Sequence, residues 1–192
     1  MTKHILITGT GRTGTTFLVQ LLGHLGFDIG NKEVHEETHC GLEHDLRKGN
    51  APYVCKHPLF CEFAGDIFKS KEIEIEYILL PVRDLHDAAE SRRYASKVYG
   101  FDAPGGLWGA KDRVTQEVAL ARRLYNLIYE TAKTDVKIIL MNFPLIVNDG
   151  NYLYGKLRPM LKDISLKDFT IVFNDIAHPE WVHDFSMTKK ED

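Results

Sequence analysis

His-Ile-Leu-Ile-Thr-Gly-Thr-Gly-Arg-Thr-Gly-Thr-Thr-Phe-Leu-Val-Gln-Leu-Leu-Gly-His-Leu, residues 4–25, decides the fold. Residues 4–8 read as a short buried strand, because Ile5, Leu6 and Ile7 form an unbroken apolar run. Gly9, Gly11 and Gly14 then free the backbone for positive φ and for close approach to a ligand. From Thr15 the apolar period turns helical, with Phe17, Leu18, Leu21, Leu22 and Leu25 on one face. A strand thus feeds a glycine loop, and the loop opens a helix. The N–H groups at such a helix start point outward and carry partial positive charge, which makes the loop a site for phosphate or sulfate.

Working outward, buried strands are expected over 52–56, 75–82 and 136–141. Helices are expected over 59–68, 85–99, 111–132, 151–161 and 166–176. The polar stretch 31–50 reads as loop with one or two helical turns. The segment 100–110, with Pro104, Gly105 and Gly106, reads as a loop, and the tail from Ala177 as irregular. Strands alternating with helices predict an α/β fold, one domain over residues 1–192: a P-loop-type three-layer sandwich with a mainly parallel sheet. Ligands of such folds sit at the carboxyl ends of the strands. That rule selects residues 9–16, Lys56-His57, residues 83–91 and Asn142-Phe143.

Three motifs overlap in the loop. Gly9-Thr-Gly11-Arg-Thr-Gly14 fits the dinucleotide fingerprint G-x-G-x-x-G, which needs an acid at the end of a second strand about 20 residues on. Asp28 is the one acid so placed, and it stands inside Gly-Phe-Asp-Ile-Gly rather than after an apolar run. Residues 9–16 also fit G-x-x-x-x-G-K-[ST], except that Thr15 holds the lysine position; a nucleotide kinase on this plan would draw its charge from Arg12. Finally, Arg12-Thr13-Gly14-Thr15-Thr16 resembles the R-S-G-T-T loop of sulfotransferases that use 3′-phosphoadenosine 5′-phosphosulfate (PAPS).

The sulfotransferase resemblance is the reading that predicts a second motif. That family carries a strand ending in Arg-Asp with a serine eight positions after the arginine. Here Leu79-Leu-Pro-Val-Arg83-Asp-Leu-His-Asp-Ala-Ala-Glu-Ser91 has that spacing. The resemblance is strongest over 4–30 and 77–94, and weaker over 137–161. It implies that Arg83 and Ser91 hold the 3′-phosphate of PAPS. It implies too that Gly11, Arg12, Thr13, Gly14, Thr15 and Thr16 cradle the 5′-phosphate. A guanidinium gives a forked, charge-assisted contact, and a hydroxyl adds a neutral donor. The chain is short for this family, and the glycine-rich basic segment that closes over the cofactor in its cytosolic branch has no counterpart here.

The implied reaction is in-line transfer of a sulfuryl group from PAPS to a hydroxyl or amine, leaving 3′-phosphoadenosine 5′-phosphate. The acceptor is expected to be a small-molecule or glycan hydroxyl. A base must take the acceptor proton. One branch of the family uses a histidine in Lys-x-His, and Lys56-His57 is one residue tighter. Another uses a glutamate in Glu-Glu-Thr, which Glu36-Glu37-Thr38 resembles. Glu36 or Glu37 therefore ranks ahead of His57, with Lys56 as a second cation beside the leaving oxygen. A non-catalytic nucleotide-binding domain of the same fold is the alternative outside the enzymes.

His35-Glu36-Glu37-Thr38-His39 also fits H-E-x-x-H, with Cys40 and His44 nearby, but it lacks the apolar helix face that a zinc-protease site needs, so no metal is expected. Net charge is −3 and no long basic run occurs, which speaks against a nucleic-acid partner. The opening apolar run is too short for a signal or a membrane span, and Cys40, Cys55 and Cys61 are expected as reduced thiols in a cytoplasm. Cys55 and Cys61 read as core thiols, Trp108 as a packing anchor or part of an acceptor lid, and Arg92, Arg93, Arg122 and Arg123 as mostly solvated helix residues.

Overall fold

Successive residues of strand β1 (Thr2–Ile7) face opposite sides of a sheet, and both sides are covered. The computed structural model describes residues 1–31, 33–35, 40–100, 103–109 and 113–185. Ile5 and Ile7 join one apolar cluster with Leu18, Leu21 and Leu22 of helix α1 (Thr15–His24). Leu6, between them, joins a second cluster on the other side with Phe60, Ile67 and Leu127. Later strands repeat the pattern: Leu79 lies in the first cluster, Ile78 and Leu80 in the second. The result is the three-layer α/β arrangement expected from the alternation of strands and helices.

The strands that follow β1 are β2 (Val34–His35), β3 (Cys40–Gly41), β4 (Val54–Lys56), β5 (Ile73–Val82) and β6 (Lys137–Asn142). Four of them form one parallel sheet in the order β4-β1-β5-β6, with β1 and β5 in the middle. β2 and β3 form a separate antiparallel pair. Parallel pairing needs crossovers, and helices supply them. After α1 come α2 (Ala64–Lys69), α3 (Leu85–Tyr99), α4 (Arg113–Thr131), α5 (Leu145–Asn148), α6 (Gly150–Leu161) and α7 (Leu166–Ile176). α6 and α7 contribute Leu153, Leu157, Phe169 and Phe173 to the α1 side, and α4 contributes Leu127 to the other. Among the described residues, no helix is long and apolar enough to cross a membrane.

Three expectations are corrected. The helix over 59–68 is a 3-10 turn, Phe60–Glu62, and then α2, with Phe63 (φ −135°) as the break. Phe63 leaves the helical path to set its ring edge-on to His57 (4.8 Å) and Phe60 (5.5 Å) and beneath Arg47 (4.0 Å). Residues 31–50 hold the β2–β3 pair as well as the one helical turn, Leu46–Lys48, capped by Asp45. The tail forms a turn at Pro179–Trp181 and lies against α3, where Tyr94 meets His183 (4.8 Å) and Phe185 (6.4 Å).

Candidate functional site

The glycine loop joins β1 to α1 and takes its shape from four left-handed residues: Gly9 (φ 148°), Gly11 (71°), Arg12 (57°) and Gly14 (76°). Arg12 is the unusual member, since a side chain in this region is strained. Gly14 immediately precedes α1, no side chain caps that helix, and no acid stands in its first turn. The first amides of α1 therefore have neither an intrahelical partner nor a side-chain cap.

The turn at Arg12 carries its guanidinium toward α3. There Nε donates to Ser91 Oγ (3.1 Å), and an Nη donates to Cys40 Sγ (3.4 Å). Arg83, at the carboxyl end of β5, donates to the Arg12 carbonyl (3.3 Å) and to the His183 carbonyl of the tail. Its guanidinium also lies over the Phe143 ring (5.0 Å). Arg12, Arg83 and Ser91, 79 positions apart at the extremes, thus meet at one end of the loop. Burial pushes the Arg83 pKa below the ordinary arginine value, and the neighbouring Arg12 charge pushes the same way.

Lys56 ends β4 next to the loop's other end. It is buried, and its ammonium donates to Thr16 Oγ1 (2.8 Å) and the Gly41 carbonyl (2.6 Å) while pairing with Glu43 Oε1 (2.8 Å). The loop lacks a lysine at position 15, and β4 brings a lysine to position 16 instead. Thr15 and Thr16 line the adjoining cavity together with Gly11, Arg12 and Gly14. Thr13 does not: the residue is fully buried, with Oγ1 unbonded, and it is the one member of the expected cradle that the cavity does not touch.

His57 is not brought to this group. Its ring turns to Phe63 on the opposite side of β4, and burial lowers its pKa from the ordinary histidine value, with Asp45 opposing. Glu36 and Glu37, with Thr38 and His39, lie outside the described residues. Cys40, the next residue along, lines the cavity. Asp28 is placed where no nucleotide ribose could use it. It accepts from the amides of Gly30 (3.1 Å) and Tyr53 (3.4 Å), just before β4 begins, at the amino ends of the strands. The dinucleotide reading therefore loses its acid.

The cavity holds about 520 Å³. One wall is the loop with Arg12, Arg83, Ser91 and Lys56. Much of the remaining lining is apolar: Phe17 from α1, Leu59 after β4, Trp108 from the α3–α4 loop, Phe143 and Val147 after β6, and Trp181 from the tail, with Phe143 at the loop itself under the Arg83 guanidinium. Among the described residues, Glu43 and Asp175 are its acids. Such a cleft can bind a polyanion together with a less polar group.

Two contributors were hidden in the sequence. Arg92 is buried rather than solvated, 5% exposed, and it lines the cavity. Burial lowers its pKa to about 10, with Arg12 adding to the effect. The signal was present: Arg92 falls four residues after Ala88 and three before Ala95, on the small-residue face that α3 buries. The tail is the second, and its lack of periodicity gave no sign of where it would lie. Of the cysteines, Cys55 is a core thiol with its pKa pushed up to about 12, Cys61 is half-buried, and Cys40 faces Arg12.

No protein-family model matches the chain. No curated protein matches it either. Among solved structures, it is similar to the sulfotransferase domain from the curacin biosynthetic pathway, with a TM-score of 0.54 and 12% identity over 86% of this chain and 75% of that one. The fold is therefore sulfotransferase-like.

Proposed function

We propose that this protein is a sulfotransferase that moves a sulfuryl group from PAPS to a hydroxyl acceptor and releases 3′-phosphoadenosine 5′-phosphate. The observation that carries the reading is the meeting of the two motifs: Arg12 of the glycine loop bonds Ser91, and Arg83 bonds the Arg12 carbonyl. The residues fit a bisphosphorylated nucleotide. The start of α1 has no cap of its own, and Arg12 and Arg83 line the same cavity as Thr15 and Thr16. When bound, PAPS would supply the sulfuryl group and a phosphate leaving group.

Arg12 and the amides of 14–16 would hold the 5′-phosphate and the bridging oxygen. Arg83 and Ser91 would hold the 3′-phosphate. Ser91 Oγ already accepts from Arg12, so its own proton is directed elsewhere and is available to a phosphate oxygen. Thr16 stands in the same relation to Lys56. Lys56 would add charge beside the leaving oxygen. Glu36 or Glu37 would take the acceptor proton, and His57, facing the other way, would not. The apolar part of the lining, with Leu59, Val147 and Trp181, favours a small alcohol over a charged glycan.

Metal-free calorimetric titration with 3′-phosphoadenosine 5′-phosphate, ATP and NAD(H) tests the reading. Selective binding of the bisphosphate is expected. ATP binding with no preference for a 3′-phosphate would overturn it in favour of a kinase. Bisphosphate binding with no transfer to any of a panel of alcohols would mark a binding domain instead. Transfer that survives in both Glu36→Gln and Glu37→Gln would move the base elsewhere.

A further inference from the structure

Arg92 stands one residue beyond Ser91, and the proposed transfer gives it no task. Its described hydrogen-bond partners are all backbone carbonyls. Nε and one Nη donate to Thr10 O (3.0 and 2.5 Å), and the other Nη donates to Gly106 O (2.5 Å). Its guanidinium also sits 5.3 Å from the centre of the Trp108 ring. Trp108 is fixed in turn by Gln116, which accepts from its amide (2.9 Å) and donates to its carbonyl (3.3 Å).

Burying a charge this deeply is unfavourable, and carbonyl dipoles offset only part of the loss. What the arrangement achieves is geometric. Thr10 O belongs to the glycine loop, and Gly106 O belongs to the cavity wall between α3 and α4. One rigid fork bonds both, and only a guanidinium has that fork. Drawing the Thr10 carbonyl toward α3 fixes the peptide plane that leads into Gly11. At Gly11 itself, a Cβ would run into the same guanidinium.

We infer that Arg92 is a positioning residue that clamps the glycine loop to the 103–109 wall, so that filling the loop is felt at Trp108. The inference rests on the loop being the anion site, and the nucleotide titration tests that separately.

The test compares wild type, Arg92→Lys and Arg92→Met, all in a Trp181→Phe background so that Trp108 is the one tryptophan. In the ligand-free proteins, amide exchange at 11–16 and at 106–108 should rise together, by about tenfold, in Arg92→Met. With 3′-phosphoadenosine 5′-phosphate, affinity should fall about tenfold and the Trp108 fluorescence response should disappear. Arg92→Lys keeps the charge but not the fork, so it should restore only part of the affinity and response. If Arg92→Met does not fold, Arg92→Lys carries the comparison. A lowered melting temperature with affinity and Trp108 response unchanged would reduce Arg92 to a structural residue and overturn the clamp. So would exchange that rises in one segment alone. If wild type binds no nucleotide, the proposed function fails, while the exchange comparison still decides the clamp.

Discussion

Two helices leave the sheet from neighbouring parallel strands, and they begin in opposite ways. α3 follows β5, and Asp84 caps it, its carboxylate accepting from the Asp87 amide (3.1 Å). α1 follows β1, and no side chain caps it. α6 and α7 behave like α3, with Asp149 bonded to Tyr152 N (2.9 Å) and Ser165 bonded to Asp168 N (3.1 Å). A self-capped helix spends its N-terminal donors on stability. α1 keeps its donors, strains Arg12 into the left-handed region, and gathers Arg12 and Arg83 around the gap. On the proposed reading, that gap belongs to a phosphate brought from outside.

The contrast can be broken most strongly at Arg83. Replacing it with alanine removes a charge-assisted fork from a half-enclosed site. Affinity for 3′-phosphoadenosine 5′-phosphate should fall about a hundredfold or more, read by titration. Gly11→Ala comes next. It forces a Cβ into a left-handed position and against Arg92, so stability should drop by about 1–2 kcal/mol in a urea melt, with a loss of nucleotide affinity alongside. Asp84→Ala sharpens the comparison from the other side. It should cost about 1 kcal/mol of stability, the ordinary value of a cap, and leave nucleotide affinity where it was. An affinity loss at Asp84 as large as that at Gly11 would erase the distinction between the two helices.

The sheet was legible because each strand holds an apolar stretch, Ile5–Ile7, Val54-Cys55, Tyr77–Val82 and Ile138–Met141, although β5 opens on alternating glutamates and β6 lies at the sheet edge with Leu140 exposed. α3 and α7 were legible to the residue, since Gly100 ends one and Ser165 starts the other. That Arg83 and Ser91 line one cavity was readable because both positions fall within one strand–helix turn. Arg92 was legible only in part: it falls on the small-residue face of α3, yet charge on a helix usually means solvent. The tail was not, because its contacts with Arg83 and Tyr94 span about half the chain. His57 failed for a reason of period. Lys-x-His keeps both side chains on one face of a strand, whereas adjacent Lys56 and His57 must diverge. Lys56 goes to Thr16 and His57 to Phe63.

That divergence gives the smallest expected effect and the most separable one. Burial holds the His57 pKa below its ordinary 6.5, so the unfolded chain binds the proton more readily than the folded one. His57 therefore contributes stability that is complete above pH 6.5 and is lost as pH falls through the folded value. Glu76 and Asp45, whose pKa values are lowered by their partners, act in the same sense but only below their ordinary values of 4.5 and 3.8. Among these three groups, the interval between about 4.5 and 6.5 belongs to the histidine. Wild-type stability should decline as pH falls across it, and His57→Gln should flatten that slope while leaving the proposed sulfuryl transfer within about twofold. An unchanged slope would place the titrating group elsewhere. A collapse of transfer in His57→Gln would mean that the ring can turn back toward Lys56, and would return to it the role of base that its present orientation denies.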